Sequence, residues 1–457
     1  MSQVLSYNAH FKKTLNIAYP VMLSQLGQIS VGIADSLMVG QLGSTPLAAS
    51  SFANNIVNVL VMFGIGMSYG ITPLVAQADG EQDESKITQL LRHGIFLCGG
   101  AGLLSVLVLF GLRYAIPYMS QPDDVVTLGT PYFLIISSSL FPLMLFQCFR
   151  QFSEGMSVTK PTMYITIAAN FVNILLNYFL IFGKFGFPEL GLNGAGWATL
   201  IARILMAVGL LVVVLRYSKF QRFRGGFQLS KIKSSFFKPM LKIGLSSGIQ
   251  FVFEVGAFAM AAIMMGWIGT RPLAAHQIAI SLVSLSYMMA SGISAASTVR
   301  VGNQIGRKDG INLMKVGNTS FVMAIVFMAT CSIIFMTFSK FFPILYVSKD
   351  EFEVIEIATS LIIVAGLFQL SDGAQVVGLG SLRGMSDVKV PTFITFAAYW
   401  VMAIPLSYIF GFVLDYGPQG IWYGLLVGLT IAAVALFLRF KKLAIQKSQE
   451  FTLADVT

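Results

Sequence analysis

Three carboxylates, Asp35, Glu254 and Asp372, sit inside long apolar stretches where a lipid bilayer would have to solvate them. The chain holds 20 acidic residues, and all the others fall in or beside polar connecting segments. A charge at membrane depth costs at least ~2.5–3.5 kcal/mol, so it faces a cavity, a partner or a transported ion. The alternative is an acid that is protonated, or one hydrogen-bonded to a neighbouring helix as structural glue. Three such acids together point to the handling of a cation or a proton.

Spacing groups further polar residues with them. Gln28, Gly32 and Asp35 stand at i, i+4 and i+7 and share one helical face, with Gln25 one turn earlier. Pro20 lies in the same apolar stretch, where its missing N–H and its ring favour a kink, so a bendable helix carrying an acid is a candidate gate. Asn170, Asn173 and Asn177 at i, i+3 and i+7 form a second polar face that requires partners in hydrocarbon. These amides, Thr199 and Asp35 together are hard oxygen ligands suited to a small cation, although interhelical hydrogen bonding alone would also account for the amides. Glu254 and Asp372 lie more than a hundred residues apart, and Gln369, Ser371 and Gln375 surround Asp372. If the fold brings the two acids together, they share a proton or hold a monovalent cation, with Na+ the metal to consider. Phe251, Phe258, Met260, Met264, Tyr287 and Met288 are candidate cavity-lining residues, because Met and aromatic side chains adapt to varied apolar ligands.

The elements that must position these groups follow from composition. Hydrophobic residues make up 56% of the 457 and charged residues 11%, against roughly 25% charged in soluble domains. Twelve apolar runs, near 15–39, 52–77, 91–112, 128–149, 161–183, 194–216, 240–266, 276–299, 316–338, 355–380, 391–414 and 419–440, are each long enough to cross a bilayer. An all-α polytopic membrane protein is expected, with its first helix retained because no small-residue cleavage site follows it. The net charge of +10 does not indicate nucleic-acid binding. With the amino terminus inside, 24 of the 30 Lys and Arg fall on the cytoplasmic side. The exceptions are Arg203 within a span and Arg113, Lys184, Arg271, Lys340 and Lys349 opposite. That asymmetry predicts cytoplasmic termini in the cell (inner) membrane, a multi-pass protein with some affinity for anionic membrane lipid. Cys98, Cys148 and Cys331 show no ligand spacing and read as packing residues.

The chain also repeats itself. Residues 42–50 (LGSTPLAAS) match 268–276 (IGTRPLAAH) at an offset of 226, which carries Gly66 onto Gly292 and 77–80 onto 303–306. The sequence GMS at 155–157 recurs at 384–386. Each copy spans six helices, so the copies run in the same sense and predict two six-helix bundles related by a pseudo-two-fold axis. The expected division is an N-terminal lobe at 1–216, a basic cytoplasmic loop at 217–239, and a C-terminal lobe at 240–457. At the same offset Gln28 stands opposite Glu254 and Ala261 opposite Asp35, so the lobes share a scaffold but differ in chemistry.

Other motif-like strings carry less. The glycines at 378–384 lack a strand–turn–helix context, and Asn318 opens a sequon on the predicted cytoplasmic side. His276 is expected to make a local hydrogen bond at a helix start, and Arg300 and Arg307 to anchor a helix end by snorkelling. There is no nucleophile–base pair, His cluster or metal spacing of an enzyme.

Several segments resemble the multidrug and toxic compound extrusion (MATE) family in its NorM-like branch. They are 28–43 with IADSLMVG, 272–277 (PLAAHQ), 299–306 (VRVGNQIG), 150–155 (RQFSEG) and 192–199 (LNGAGWAT). The resemblance implies a monomeric secondary-active exporter of small lipophilic cations or amphipathic compounds, with no cofactor beyond a coupling ion, Na+ or H+. It implies a cation site at Glu254 and Asp372 and a polar cluster at Asp35, Asn173, Asn177 and Thr199. Where some members carry a tyrosine one turn before the second-lobe aspartate, this chain has Phe368, and Asn177 stands where certain relatives have an acid. A lipid-linked oligosaccharide flippase of the same superfamily is the alternative, but it would require a basic cavity.

Overall fold

The computed structural model describes residues 5–119, 121–228, 232–348 and 350–454. Lys231 of the basic loop and Lys349 of the opposite side lie outside the described residues. Among the described residues there is no β-strand, and twelve helical segments are long and apolar enough to cross a membrane. In chain order they are α1 (Tyr7–Gly40), α2 (Ser44–Glu81), α3 (Glu84–Leu112), α4 (Asp123–Gly155), α5 (Lys160–Phe182) and α6 (Leu192–Arg216). The second six are α7 (Ser234–Ile268), α8 (Thr270–Gly306), α9 (Gly310–Thr337), α10 (Phe352–Gly384), α11 (Lys389–Val413) and α12 (Gly417–Leu453). Each apolar run of the sequence corresponds to one of them. Hydropathy misjudges their ends, because a helix continues into water for as long as its polar turns pair and cap.

Interruptions have identifiable causes. Helix α2 breaks after Ser68 and resumes at Thr72 with Pro73 in its first turn, where a missing N–H costs nothing. Helix α4 bends at Ser139, whose hydroxyl donates to the Ile136 carbonyl at 2.5 Å. In α11 two π-helical stretches, Ala397–Ala403 and Ile409–Val413, flank the segment that holds Pro405, as expected where a ring displaces the regular ladder. By contrast α1 runs through Pro20 without a break.

The helices form two compact units, Leu23–Gly248 and Met1–Met22 with Ile249–Thr457, called here the amino-terminal and carboxy-terminal units. The amino-terminal unit is centred on Phe133, Leu140, Phe146 and Phe152. Cys98 and Cys148 are buried, unpaired members of this core. The carboxy-terminal unit has one core around Phe368, Tyr399, Trp422 and Leu425 and another around Leu313, Phe321 and Phe440. The unit boundaries, Met22 and Gly248, stand at the repeat offset of 226, so the first helix of each repeat gives its opening turns to one unit and the remainder to the other.

Local conformations recur at the same offset. Helices α2 and α8 both open after a glycine in the positive-φ region, Gly43 (119°) and Gly269 (158°), a conformation that L side chains rarely adopt. Gln82 and Lys308 adopt φ of 59° and 54°, and the aspartate after each caps the next helix. Asp83 accepts from the Lys86 N–H at 2.9 Å, and Asp309 from the Asn312 N–H at 3.0 Å. A side chain at Gly66 would collide with the Gly248 backbone, and a Cβ at Gly292 would lie 2.8 Å from the Met22 nitrogen. These are equivalent crossings, α2 over α7 and α8 over α1, each admitted by a missing side chain.

The basic segment after α6 is folded rather than extended. Residues Ser218–Phe227 form tight turns whose Phe220 and Phe223 are buried against Phe152, with ring centroids 5.5 and 6.1 Å away. Lys219 donates to the Met156 carbonyl at 2.6 Å, and Arg222 pairs with Glu84 at 2.5 Å.

Candidate functional site

The amino-terminal unit brings Asp35 into a polar cluster. Asn177 donates to Asp35 Oδ1 at 2.5 Å, and the same amide lies 3.2 Å from Asn173 Oδ1. Asn173 donates in turn to Thr199 Oγ1 at 3.5 Å. Asn173 and Asn177 are almost fully buried, while Asp35 and Thr199 are half-buried. The one-face reading of α5 is what makes this chain possible, since i, i+4 side chains stack along a helix. Asn170, one turn earlier, reaches Gly27 of α1 instead, with its Nδ2 where a Cβ would collide. The Nδ2 of Asn170 and the Oδ1 of Asn177 are buried with no hydrogen-bond partner. Gln28, placed on the Asp35 face from sequence, is half-buried and outside this network.

Two residues that sequence reading left out of the cluster also face it. Tyr132 of α4 is buried, its hydroxyl bonded to Asn54 Oδ1 at 3.3 Å, and it interacts electrostatically with Asp35. Arg203 of α6 donates to Ser139 Oγ at 2.6 Å and interacts electrostatically with both Asp35 and Tyr132. The sequence placed Arg203 inside a span, but only the packing of α4 on α6 shows which acid it faces.

The carboxy-terminal unit assembles the other two acids. Glu254 of α7 and Asp372 of α10 are both buried and interact electrostatically. Tyr287 of α8 donates to Glu254 Oε2 at 3.3 Å. Tyr399, in the first π-helical stretch of α11, donates to Gln375 Oε1 at 2.8 Å and lies in the field of both acids. Gln369 donates to Ser286 Oγ at 2.9 Å. Asp372 Oδ2 and Gln369 Oε1 are buried oxygens with no hydrogen-bond partner. Such oxygens carry a full desolvation cost unless something occupies the space before them. Two carboxylates and a phenol form a hard, oxygen-only donor set that fits a small monovalent cation or a proton.

The remaining site residues fall in three environments. Met264 is buried within the carboxy-terminal core, and Phe258 and Met260 pack against it. Phe258 lies 6.4 Å from the Tyr399 ring. Phe251 and Met288 are half-buried. Phe368 is fully buried and stacked on Trp422 at 5.3 Å and 20°.

Two sequence readings need correction. His276 makes no local bond: its Nδ1 accepts from Trp422 Nε1 at 3.1 Å, 146 positions away, because α12 packs an indole donor against the start of α8. Arg300 does not snorkel. It is buried, donating to the His10 carbonyl (2.6 Å), Thr14 Oγ1 (2.8 Å) and His10 Nδ1 (2.8 Å), because the opening turns of α1 cover the end of α8.

Twelve membrane-crossing helices carrying an internal repeat, with buried acids in each unit and no strand among the described residues, define a polytopic helical membrane protein. The family model described as MatE matches residues 20–179 and 247–409, one segment in each half of the chain. The chain therefore belongs to the MatE family, as the resemblance in its sequence indicated. It is 33% identical over 441 residues to the probable multidrug resistance protein NorM of Rhizobium meliloti (strain 1021), covering 96% of this chain and 94% of that one. The corresponding protein of Agrobacterium fabrum (strain C58 / ATCC 33970) is 33% identical over 438 residues, covering 95% and 94%. Among solved structures, the eukaryotic MATE transporter AtDTX14 superposes with a TM-score of 0.83 at 21% identity, over 97% of this chain and 99% of that one. A multidrug resistance MATE family transporter of the MOP superfamily, in its outward-facing conformation, superposes at 0.87 with 18% identity, over 96% of each chain. At those identities the structures establish the fold, and the curated relatives establish the family.

Proposed function

We propose that this protein is a secondary-active multidrug exporter that moves cationic or amphipathic small molecules across the cell (inner) membrane in exchange for Na+ or H+ by alternating access. The observation that carries the reading is the Glu254–Asp372 pair with its unpartnered Asp372 oxygen. Two carboxylates in low dielectric cannot both stay bare, so the pair takes up a cation or a proton, and release of that charge is the half-reaction an antiporter needs. The Asp35 cluster is the second titrating or substrate-linked site. The division into lobes at 1–216 and 240–457, monomeric operation and cytoplasmic termini belong to the same reading, and the lysine and arginine asymmetry of the connecting segments supports the orientation. A flippase of lipid-linked oligosaccharides is less favoured, because the apolar spans carry three acids, Asp35, Glu254 and Asp372, where it would need a basic cavity.

Efflux of a fluorescent lipophilic cation from proteoliposomes, driven in turn by an imposed sodium gradient and an imposed proton gradient, tests the proposal. Efflux under at least one gradient is expected, together with its loss in Glu254→Gln and Asp372→Asn at unchanged reconstitution. No efflux under either gradient would overturn the antiporter reading.

A further inference from the structure

We infer that the first π-helical turn of α11 clamps the two acid-bearing helices of the carboxy-terminal unit, with Trp400 as the residue that positions Glu254. The inference rests on the reading of Glu254 and Asp372 as the coupling-ion site, and it adds what holds their helices in place.

Helices α7 and α11 meet along a seam of three contacts. Gln250 Nε2 donates to Thr392 Oγ1 at 2.9 Å. The Phe253 and Phe396 rings lie 5.1 Å apart. Trp400 Nε1 donates to the Phe253 carbonyl at 3.1 Å, and a Cβ at Gly256 would lie 2.9 Å from Trp400 Cζ2. The partners advance along both helices together, by three residues on α7 and by four on α11, so the two run parallel and side by side. Gly256 is what admits the indole, since a side chain there would push the ring off the carbonyl.

The last contact bears directly on the acid. The Phe253 carbonyl and the Glu254 nitrogen belong to one planar peptide group. An indole bonded to that oxygen fixes the plane from which Glu254 departs. Glu254 itself lies roughly 100° further round α7, where Tyr287 of α8 meets it at 3.3 Å. The indole bond is additional to the helix's own ladder. In an α-helix the Phe253 carbonyl accepts from the Ala257 N–H, which leaves its second lone pair for Trp400.

Tyr399, the neighbouring residue, turns to the other acid-bearing helix. Its hydroxyl donates to Gln375 Oε1 at 2.8 Å, three residues beyond Asp372 on α10. Both side chains leave the π-helical stretch Ala397–Ala403. A π-helical turn closes i→i+5 bonds and holds more residues than an α-helical turn, and such turns are frequent at functional sites. On this wider turn two adjacent positions address α7 and α10 at once. Among the described residues, π-helical turns occur in α11 alone. The corresponding helix of the first repeat, α5, is regular, and it makes its polar contacts from Asn173 and Asn177, one α-helical turn apart. The clamp is therefore a property of the carboxy-terminal site.

The test measures access to Glu254 in the purified protein, without transport. Dicyclohexylcarbodiimide labelling of the Glu254 and Asp35 peptides is timed by mass spectrometry at fixed pH in the parent, Trp400→Phe, Gly256→Ala and Ser407→Ala. Trp400→Phe keeps an aromatic ring and removes the N–H. Ser407→Ala removes a buried hydrogen bond of the same helix, to the Ile421 carbonyl at 2.8 Å, away from the seam. Labelling of Glu254 is expected to accelerate about fivefold in Trp400→Phe, which is about 1 kcal/mol at tenfold per about 1.4 kcal/mol, the net worth of one hydrogen bond. Gly256→Ala should accelerate it in the parent and add little in Trp400→Phe, whose smaller ring leaves room for the methyl group. Ser407→Ala, and the Asp35 peptide in every variant, should label at the parent rate. In proteoliposomes, Trp400→Phe should raise the half-saturating concentration of the driving ion about fivefold at an unchanged maximal rate. Unchanged labelling of Glu254 in Trp400→Phe, equal acceleration in Ser407→Ala or at Asp35, or an unchanged half-saturating concentration would each overturn the assignment. Absence of efflux under either gradient, with the labelling results as expected, would instead refute only the exporter reading.

Discussion

Arg150 and Glu154 form an ion pair at the end of α4 whose energetics can be worked from the structure. Arg150 Nε lies 2.7 Å from Glu154 Oε1, and both side chains are almost fully buried, at 5% and 3% exposure. At an effective dielectric of about 20, unit charges at that separation attract by about 6 kcal/mol. Burial costs several kcal/mol for each ion, so the pair as a whole contributes close to nothing. Removing one partner is another matter, because the survivor keeps its desolvation cost and loses its attraction. Glu154→Leu is therefore expected to destabilise the protein by about 3–5 kcal/mol, and Arg150→Met/Glu154→Leu by no more than about 1–2 kcal/mol. A double-mutant cycle of unfolding free energies in mixed micelles measures both. The coupling between the two sites should exceed about 2 kcal/mol. Single variants that cost under about 1 kcal/mol, or costs that simply add, would refute the reasoning. The surroundings explain why the pair sits there. Gly155 lets the end of α4 close on Thr72 and Val75 of α2, and Thr72 donates to Gln151, so the pair lies at a tightly packed junction.

Two further perturbations test the packing that positions the acids. Gly66→Ala and Gly292→Ala place a methyl group against the Gly248 backbone and against Met22; each should cost about 1–3 kcal/mol, and their unfolding free energies should add within error, since the crossings are separate. His10→Phe removes the Nδ1 acceptor of Arg300 and the Nε2 contact with Asn312 at 3.0 Å. It should cost about 2–3 kcal/mol and accelerate amide hydrogen exchange in the opening turns of α1, whereas unchanged exchange there would show that the histidine does not hold the helix.

Local pattern carried the sequence reading a long way, and its errors have a common physical origin. The twelve spans were legible because hydrocarbon allows one solution, a continuous apolar helix that satisfies its own backbone. The i, i+3, i+7 spacing of the asparagines gave a real face, and Asn177 reaches both Asn173 and Asp35. Glu154 was assigned to a polar connector, yet it is buried with Arg150. Tyr399, Trp422 and His10 escaped notice because each acts across more than twenty positions of sequence, on partners that only helix packing selects. A phenol or imidazole in an apolar stretch is an ordinary packing residue until its partner is known.

The two acid clusters are each complete within one unit. Asp35 meets Asn177 and Thr199, which Asn173 joins, inside Leu23–Gly248, and Glu254 meets Tyr287, Asp372 and Gln375 inside the other unit. Two helices, α1 and α7, belong to both units, divided at Met22 and Gly248. Each carries one of the acids beyond its division point, and each is crossed at that point by a glycine of the following helix. The repeat thus supplies two equivalent helices that carry non-equivalent acids, Asp35 bonded to Asn177 in one unit and Glu254 beside Asp372 in the other.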